Sequence, residues 1–118
     1  MTTETGAEDC LFCKIVSGDV PGDLVLTTDH LVAFRDVNPV APTHVLVVPR
    51  DHHSHAAATS EADPEAMGRL VAAAAEVAER EGLSDYRLVL NTGAGAGQSV
   101  FHTHVHVLGD QDLGWPPG

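Results

Sequence analysis

Three histidines near the end of the chain, His102, His104 and His106, are separated by Thr103 and Val105, a spacing of two. On a β-strand that spacing puts all three imidazoles on one face, about 6.5–7 Å apart, with Phe101, Thr103, Val105 and Val107 facing the other way. A row of imidazoles suits acid–base work, nucleophilic attack or metal binding, because imidazole changes charge near neutral pH. Cys10-Leu-Phe-Cys13 is a second group with chemistry in it. The pair can supply half of a tetrahedral zinc site, and His52, His53, His55 and His102 offer the missing ligand types. A thioredoxin-like role fits less well, because that motif belongs to a βαβ pattern and this one follows a loose N-terminus. Three further positions stand where sites are often built: Asp36 closing one β-prone run, His44 heading another, and Ser99 after a loop containing Gly93, Gly95 and Gly97. That loop lacks the Gly-Lys-Ser/Thr ending of a P-loop and precedes a strand where a dinucleotide fingerprint needs a helix. Its backbone N–H groups could still converge on an anion.

Composition narrows the chemistry. The 118 residues carry 17 acids against 6 bases, a formal charge of −11, so no basic stripe exists for nucleic acid. A phosphate site in this chain has to rely on backbone N–H groups and histidines rather than on Lys or Arg. No signal peptide, long apolar run or lipidation motif is visible, which predicts a cytoplasmic protein with no membrane segment. Cysteines three apart suit a metal clip or redox pair better than a structural disulfide.

The elements that must position these groups can be read in order. Residues 1–8 are small and polar and predict a frayed end, leaving 9–118 as a single domain. A short helix over 10–17 has Asp9 as its N-cap and Gly18 beyond its end, with Leu11, Phe12, Ile15 and Val16 in an apolar stripe. Strands follow over 23–28 and 31–36, joined by a tight turn at Asp29-His30. A third strand covers 43–48, and residues 50–55 read as a polar, solvated turn. One long helix runs over 64–81, with Asp63 as N-cap, Pro64 at its first position and Gly82 past its end. Its apolar face is Met67, Leu70, Val71, Ala74, Val77 and Ala78. A fourth strand over 86–91 leads through the glycine loop to the histidine strand, and a Pro-rich tail holds the lone Trp115.

Gln98-Ser99-Val100, followed by His102-x-His104-x-His106-Val107-Leu108, resembles the signature of the histidine triad family. The likeness extends to Cys-Leu-Phe-Cys-Lys-Ile at the N-terminus, Ala33-Phe34-Arg35-Asp36, Pro42-Thr-His44-Val-Leu-Val-Val-Pro49 and the Trp115-Pro-Pro-Gly tail. It is most similar to the Hint branch, the purine nucleoside phosphoramidate hydrolases. The resemblance implies an α+β fold: a mainly antiparallel five-stranded sheet with one long and one short helix on one face, pairing into a homodimer. It implies that His104 attacks the α-phosphorus of an AMP-amine, with no cofactor required, while His102, His106 and His44 orient the ring and donate to phosphoryl oxygens. Ser99 and the amides around Gly97, Gln98 and Val100 would add donors. Asp36 would hold the ribose hydroxyls, Asn91 would help place the ribose-phosphate, and Leu11, Phe12, Ile15, Phe34 and Val37 would sandwich the base. A structural zinc on Cys10, Cys13, His52 and His102 is implied as well, with His53 and His55 as competing ligands. Zinc binding and substrate contact then compete for His102. Trp115 would reach the partner's site. Two other readings of the same residues stay open: a hydrolase with catalytic zinc on an HxH pair, and a nucleotide-binding regulatory module with vestigial hydrolysis.

Overall fold

The structure, a computed structural model, describes residues 9–117; the expected frayed end at 1–8 lies outside the described residues. The elements run α1 (Leu11–Ser17), β1 (Leu24–Thr27), β2 (Leu31–Arg35), β3 (Thr43–Pro49), α2 (Ala56–Ala62), α3 (Pro64–Arg80), β4 (Tyr86–Val89) and β5 (Val105–Gly109). The five strands form one sheet in the order β1-β2-β3-β5-β4, and every neighbouring pair is antiparallel. The α+β expectation is met.

β3 lies at the centre of the sheet, and all seven of its residues are buried. Such a run needs cover on both faces, and the period-two alternation assigns that cover. Val45 and Val47 join Leu31, Ala33, Val105 and Val107 against Leu70, Ala73, Ala74, Val77 and Ala78 of α3. Alanines at the contact let the helix backbone approach the sheet closely. Leu46 and Val48 join Val32, Phe34 and Phe12 of α1 on the opposite side. The two helices therefore cover opposite faces, which corrects the expectation of helices on one face.

Several local expectations shift for identifiable reasons. The N-cap of α1 is Cys10, not Asp9: the helix starts one residue later, and the Cys10 thiol accepts from the Cys13 N–H at 3.4 Å. Gly18 ends this helix at φ 88°, a conformation that favours glycine. Asp63 caps α3 as expected, but Val71 on that helix is 47% exposed and off the apolar face. A second short helix, α2, follows directly on the segment read as a polar turn, so the α-helices among the described residues number two short and one long. His55 begins it as N-cap, its Nδ1 accepting from the Ala58 N–H at 3.3 Å.

The largest correction concerns the histidine strand. Pairing of β5 with β3 begins only at Val47↔Val105, so His102 and His104 precede the ladder. Continuing that register would set His104 opposite Val48 and Thr103 opposite Pro49, which has no N–H to donate at that next hydrogen-bonded pair. The segment is held instead by the Thr103 N–H, which donates to the His53 carbonyl at 2.9 Å, and by the Thr103 and Thr59 hydroxyls, 2.7 Å apart. Thr59 belongs to α2, so the helix absent from the sequence reading helps place the residue between two of the histidines.

Leu70 is essentially inaccessible at the centre of the α3 face, far from the histidine face of the sheet. Leu70→Ala should cost about 2–5 kcal/mol of stability, measured by urea denaturation, while the protein that remains folded keeps its ligand binding.

Candidate active site

A cleft of about 770 Å³ opens on the α1 face of the sheet, with Phe12 and Ile15 on one wall and His104 and His106 on another. Of the residues singled out in the sequence, Leu11, Phe34, Asp36 and Val37 also line it, as do Gly97, Ser99 and Val100. Four others expected at the substrate site do not: His44, His102, Asn91 and Gln98. Gln98 is buried, its amide oxygen accepting from the Gly93 N–H and its amide nitrogen donating to the Ser54 carbonyl. Asn91 donates across the same loop to the Ala96 carbonyl at 2.8 Å. Both shape the glycine loop from behind, and the loop presents Ser99 to the cleft. Cleft residues absent from the sequence reading include Asn38, Leu46 and the Pro21-Gly22-Asp23 turn. Period-two alternation from His44 would have found Leu46. Nothing local marks the turn, which packs so closely on α1 that a Cβ on Gly22 would meet Ile15 Cγ2 at 2.9 Å.

Hydrogen-bond partners fix which nitrogen of each imidazole carries its proton. His104 Nδ1 lies 2.7 Å from the His102 carbonyl, an acceptor only, so Nδ1 bears the hydrogen and Nε2 keeps a free lone pair. His44 Nδ1 accepts from the Val40 N–H at 3.1 Å, which places its hydrogen on Nε2. That Nε2–H faces His106 Nδ1 at 2.9 Å and Asp36 Oδ2 at 3.4 Å. His106 must then carry its hydrogen on Nε2, a buried atom with no partner among the described residues. A buried donor left open beside a cleft is a place for an incoming acceptor. Burial, reinforced by neighbouring His104 and His44, pushes the His106 pKa down to about 4. Burial also lowers His44, with Asp36 opposing the shift. His104 is lowered by burial too, against its hydrogen bond to the His102 carbonyl. Burial thus favours the neutral form of all three imidazoles.

His102 turns away from the cleft. Its ring is fully buried, with Nε2–H donated to the Pro49 carbonyl at 2.8 Å. The Nδ1 lone pair points into a cluster with Cys10 Sγ and Cys13 Sγ at 3.4 Å each and His52 Nδ1 at 3.2 Å. Cys13 Sγ lies 3.3 Å from His52 Nδ1. A tetrahedral zinc with bonds of about 2.3 Å to sulfur and 2.0–2.1 Å to nitrogen has ligand–ligand edges of about 3.3–3.8 Å. The spacings here match to within about 0.2 Å, and both thiols are free, so donor types and distances fit that metal. Burial, with Cys10 alongside, pushes the Cys13 thiol up to about 11 in the absence of such an ion. His53 and His55 stand outside the cluster: the His53 carbonyl holds Thr103, and His55 caps α2.

The sheet order, the triad and the cleft define a histidine triad fold, and comparison with known proteins agrees. Residues 17–113 match the HIT domain, and the chain belongs to that family. It is 41% identical over 110 residues to the purine nucleoside phosphoramidase of Escherichia coli K12, covering 92% of each chain. It is 43% identical over 111 residues to the 14 kDa zinc-binding protein of Zea mays, covering 92% of this chain and 87% of the maize protein. The crystal structure of a HIT family hydrolase from Legionella pneumophila superposes with a TM-score of 0.88 at 42% identity, covering 93% of this chain and 100% of that one.

The folded protein holds His106 neutral down to about pH 4, whereas an unfolded histidine takes up its proton near pH 6.5. Between those values the unfolded chain binds more protons, so stability rises with pH there. The contribution is fully present above about pH 6.5 and is lost as pH falls toward about 4. Urea denaturation in that window should show the slope, and His106→Asn should make it shallower, with the other buried histidines supplying the remainder.

Proposed function

We propose that this protein hydrolyses purine nucleoside 5′-phosphoramidates, releasing the nucleoside monophosphate and an amine, with His104 as the nucleophile. The observation that carries the reading is the His104 ring at the cleft wall, its Nδ1–H held by the His102 carbonyl and its Nε2 lone pair uncommitted. In the proposed reaction Nε2 attacks the α-phosphorus, the P–N bond to the amine breaks, and the amine leaves as it gains a proton from water. Water then attacks the same phosphorus, the bond to His104 breaks, and the monophosphate departs. Splitting one displacement into two is the usual gain from covalent catalysis. The open His106 Nε2–H, held in that tautomer by His44, would donate to a phosphoryl oxygen as charge builds there, with Ser99 beside it. Asp36 keeps Oδ1 on the Asn38 N–H at 2.8 Å, and its carboxylate would accept from the ribose diol. Phe12 and Phe34, stacked edge to face at 5.3 Å, with Ile15, form an apolar wall suited to a purine.

The catalytic-zinc alternative is disfavoured by the tautomers. Among the described residues the cleft offers one imidazole nitrogen with a free lone pair, His104 Nε2, whereas catalytic zinc takes three protein ligands. Asp36, His44 and His106 lie close enough together for a metal, but the His44 nitrogen in that group carries a hydrogen. We read the Cys10–Cys13–His52–His102 cluster as a structural zinc site, which would add folding stability and take no part in the chemical step. Trp115, 85% exposed, and the exposed Tyr86 and Leu90 on and beside the edge strand β4 support a dimer in which two sheets join and Trp115 reaches the partner. No helix among the described residues is long and apolar enough to cross a membrane, and the unbridged thiols suit a cytoplasmic location.

Adenosine 5′-phosphoramidate should be converted to AMP by the wild type, and His104→Ala should lower the rate by about 10³-fold or more. An acid-quenched reaction should hold a nucleotidyl adduct on His104. AMP binding without any turnover would identify the regulatory-module alternative. Metal analysis should find about one zinc per chain, and Cys10→Ser should lose it.

A further inference from the structure

We propose that Cys10, Cys13, His52 and His102, closed around a single soft metal ion, are positioning residues for the nucleophile His104. The inference rests on the reading of His104 given above, and it adds to the cluster a role that a purely structural zinc does not have.

Three observations converge on it. Three polar handles of His102 are in use: Nδ1 faces the cluster, Nε2–H is on the Pro49 carbonyl, and its own carbonyl receives His104 Nδ1–H at 2.7 Å. The peptide that sets the tautomer of the nucleophile is thus carried by a ligand of the cluster. The stretch from His102 to His104 has no sheet pairing of its own and depends on a backbone bond from Thr103 to His53, the residue after the ligand His52. Coordination would tie those two segments together a second time, at adjacent residues. Finally, Phe12 sits between the two cysteines, its ring 4.9 Å from that of His104 with the planes at 89°. The cluster therefore braces the nucleophile from its main chain and from its ring edge.

The consequence is chemical. If the His102 peptide shifts, His104 Nδ1 loses its acceptor and the alternative tautomer, with hydrogen on Nε2, gains population. That form has no lone pair on the attacking nitrogen. Outer groups that orient an imidazole commonly matter this way.

The test compares the full-length protein loaded with zinc, the same protein with zinc exchanged for cadmium, and the variants His52→Ala and His52→Cys. Cadmium keeps tetrahedral thiolate–imidazole coordination with longer bonds, so the fold is retained while the brace is altered. Ring ¹⁵N chemical shifts of His104 are read without substrate, and kcat and KM with adenosine 5′-phosphoramidate. In the zinc protein the Nδ1–H tautomer should dominate. In His52→Ala the shifts should move toward a tautomer mixture, with kcat lower by about 10- to 100-fold and KM within about twofold. Cadmium should move both in the same direction by less. His52→Cys, which restores a four-ligand site, should recover them. Identical His104 shifts and kcat in the zinc and cadmium proteins overturn the proposal, and that comparison decides alone if His52→Ala does not fold. Failure of zinc-loaded His52→Cys to recover the His104 shifts overturns it as well. A zinc-loaded wild type that releases no AMP sinks the functional reading instead, and the substrate-free spectra still decide the positioning.

Discussion

One buried ring organises the site. A neutral imidazole with no access to water must satisfy both nitrogens within the protein, and His102 does so at Pro49 and at the Cys10–Cys13–His52 cluster. Pro49 is the reason the ring can be there. Lacking an N–H, it cannot extend the β3–β5 ladder past Val105, so the chain before Val105 is free to leave the sheet. Its unpaired carbonyl then takes the His102 hydrogen. The turn of the backbone that follows aims the His102 carbonyl at His104 Nδ1. A proline at a strand end thus reaches, in three steps, the protonation pattern of the proposed nucleophile.

Charge explains why the ring nitrogens are kept neutral. The chain carries −11 overall, and Arg35, the one Lys or Arg bordering the cleft among the described residues, turns its guanidinium away to Glu81 at 2.7 and 3.0 Å and lies 3.5 Å from Asp23. Phosphate would have to be met by neutral donors: Ser99, the His106 Nε2–H and loop amides. Protonated histidines would attract a phosphate more strongly, but each proton taken up on His104 removes the lone pair that makes it useful. Burial resolves the conflict by disfavouring the charged form of His44, His104 and His106 together. The cost is a fold that loses stability in mild acid.

Much of this was legible in the sequence because it is local and periodic. Asp63-Pro64 begins α3, Gly18 ends α1, and alternation in β3 separates Val45 and Val47 from Leu46 and Val48. What escaped is non-local. The cap of α1 passed from Asp9 to Cys10 because the first turn begins at Leu11. α2 has only seven residues, too few for a periodic signal, and its buried Thr59 finds its partner 44 positions away. The period-two reading set three histidines on a common strand face, yet strand pairing depends on a neighbour, and the residue that would bond to Thr103 between two of them is Pro49. The split of roles between His102 and His104 is likewise invisible in spacing, since it arises from which carbonyl each ring meets.

The placement of α1 and α3 on opposite faces of the sheet has a functional logic of its own. The residues that β2, β3 and β5 turn toward α3 are apolar apart from Arg35 and Thr43 at the strand ends, and the packing there is of the kind that sets stability. Toward α1 the same strands turn Phe34, His44, Leu46 and His106, so a single short helix covers both the proposed base wall and the histidines. The cysteines that would bind metal are the N-cap and third residue of that helix, and Phe12 lies between them. Pinning α1 at its N-terminus therefore fixes the wall against which a purine would stack and, through His102, the ring beside it. A seven-residue helix is too short to hold itself in place by its own hydrogen bonds, which is why the metal-ligand cluster belongs at that end of it rather than beneath the long helix, where apolar packing already suffices.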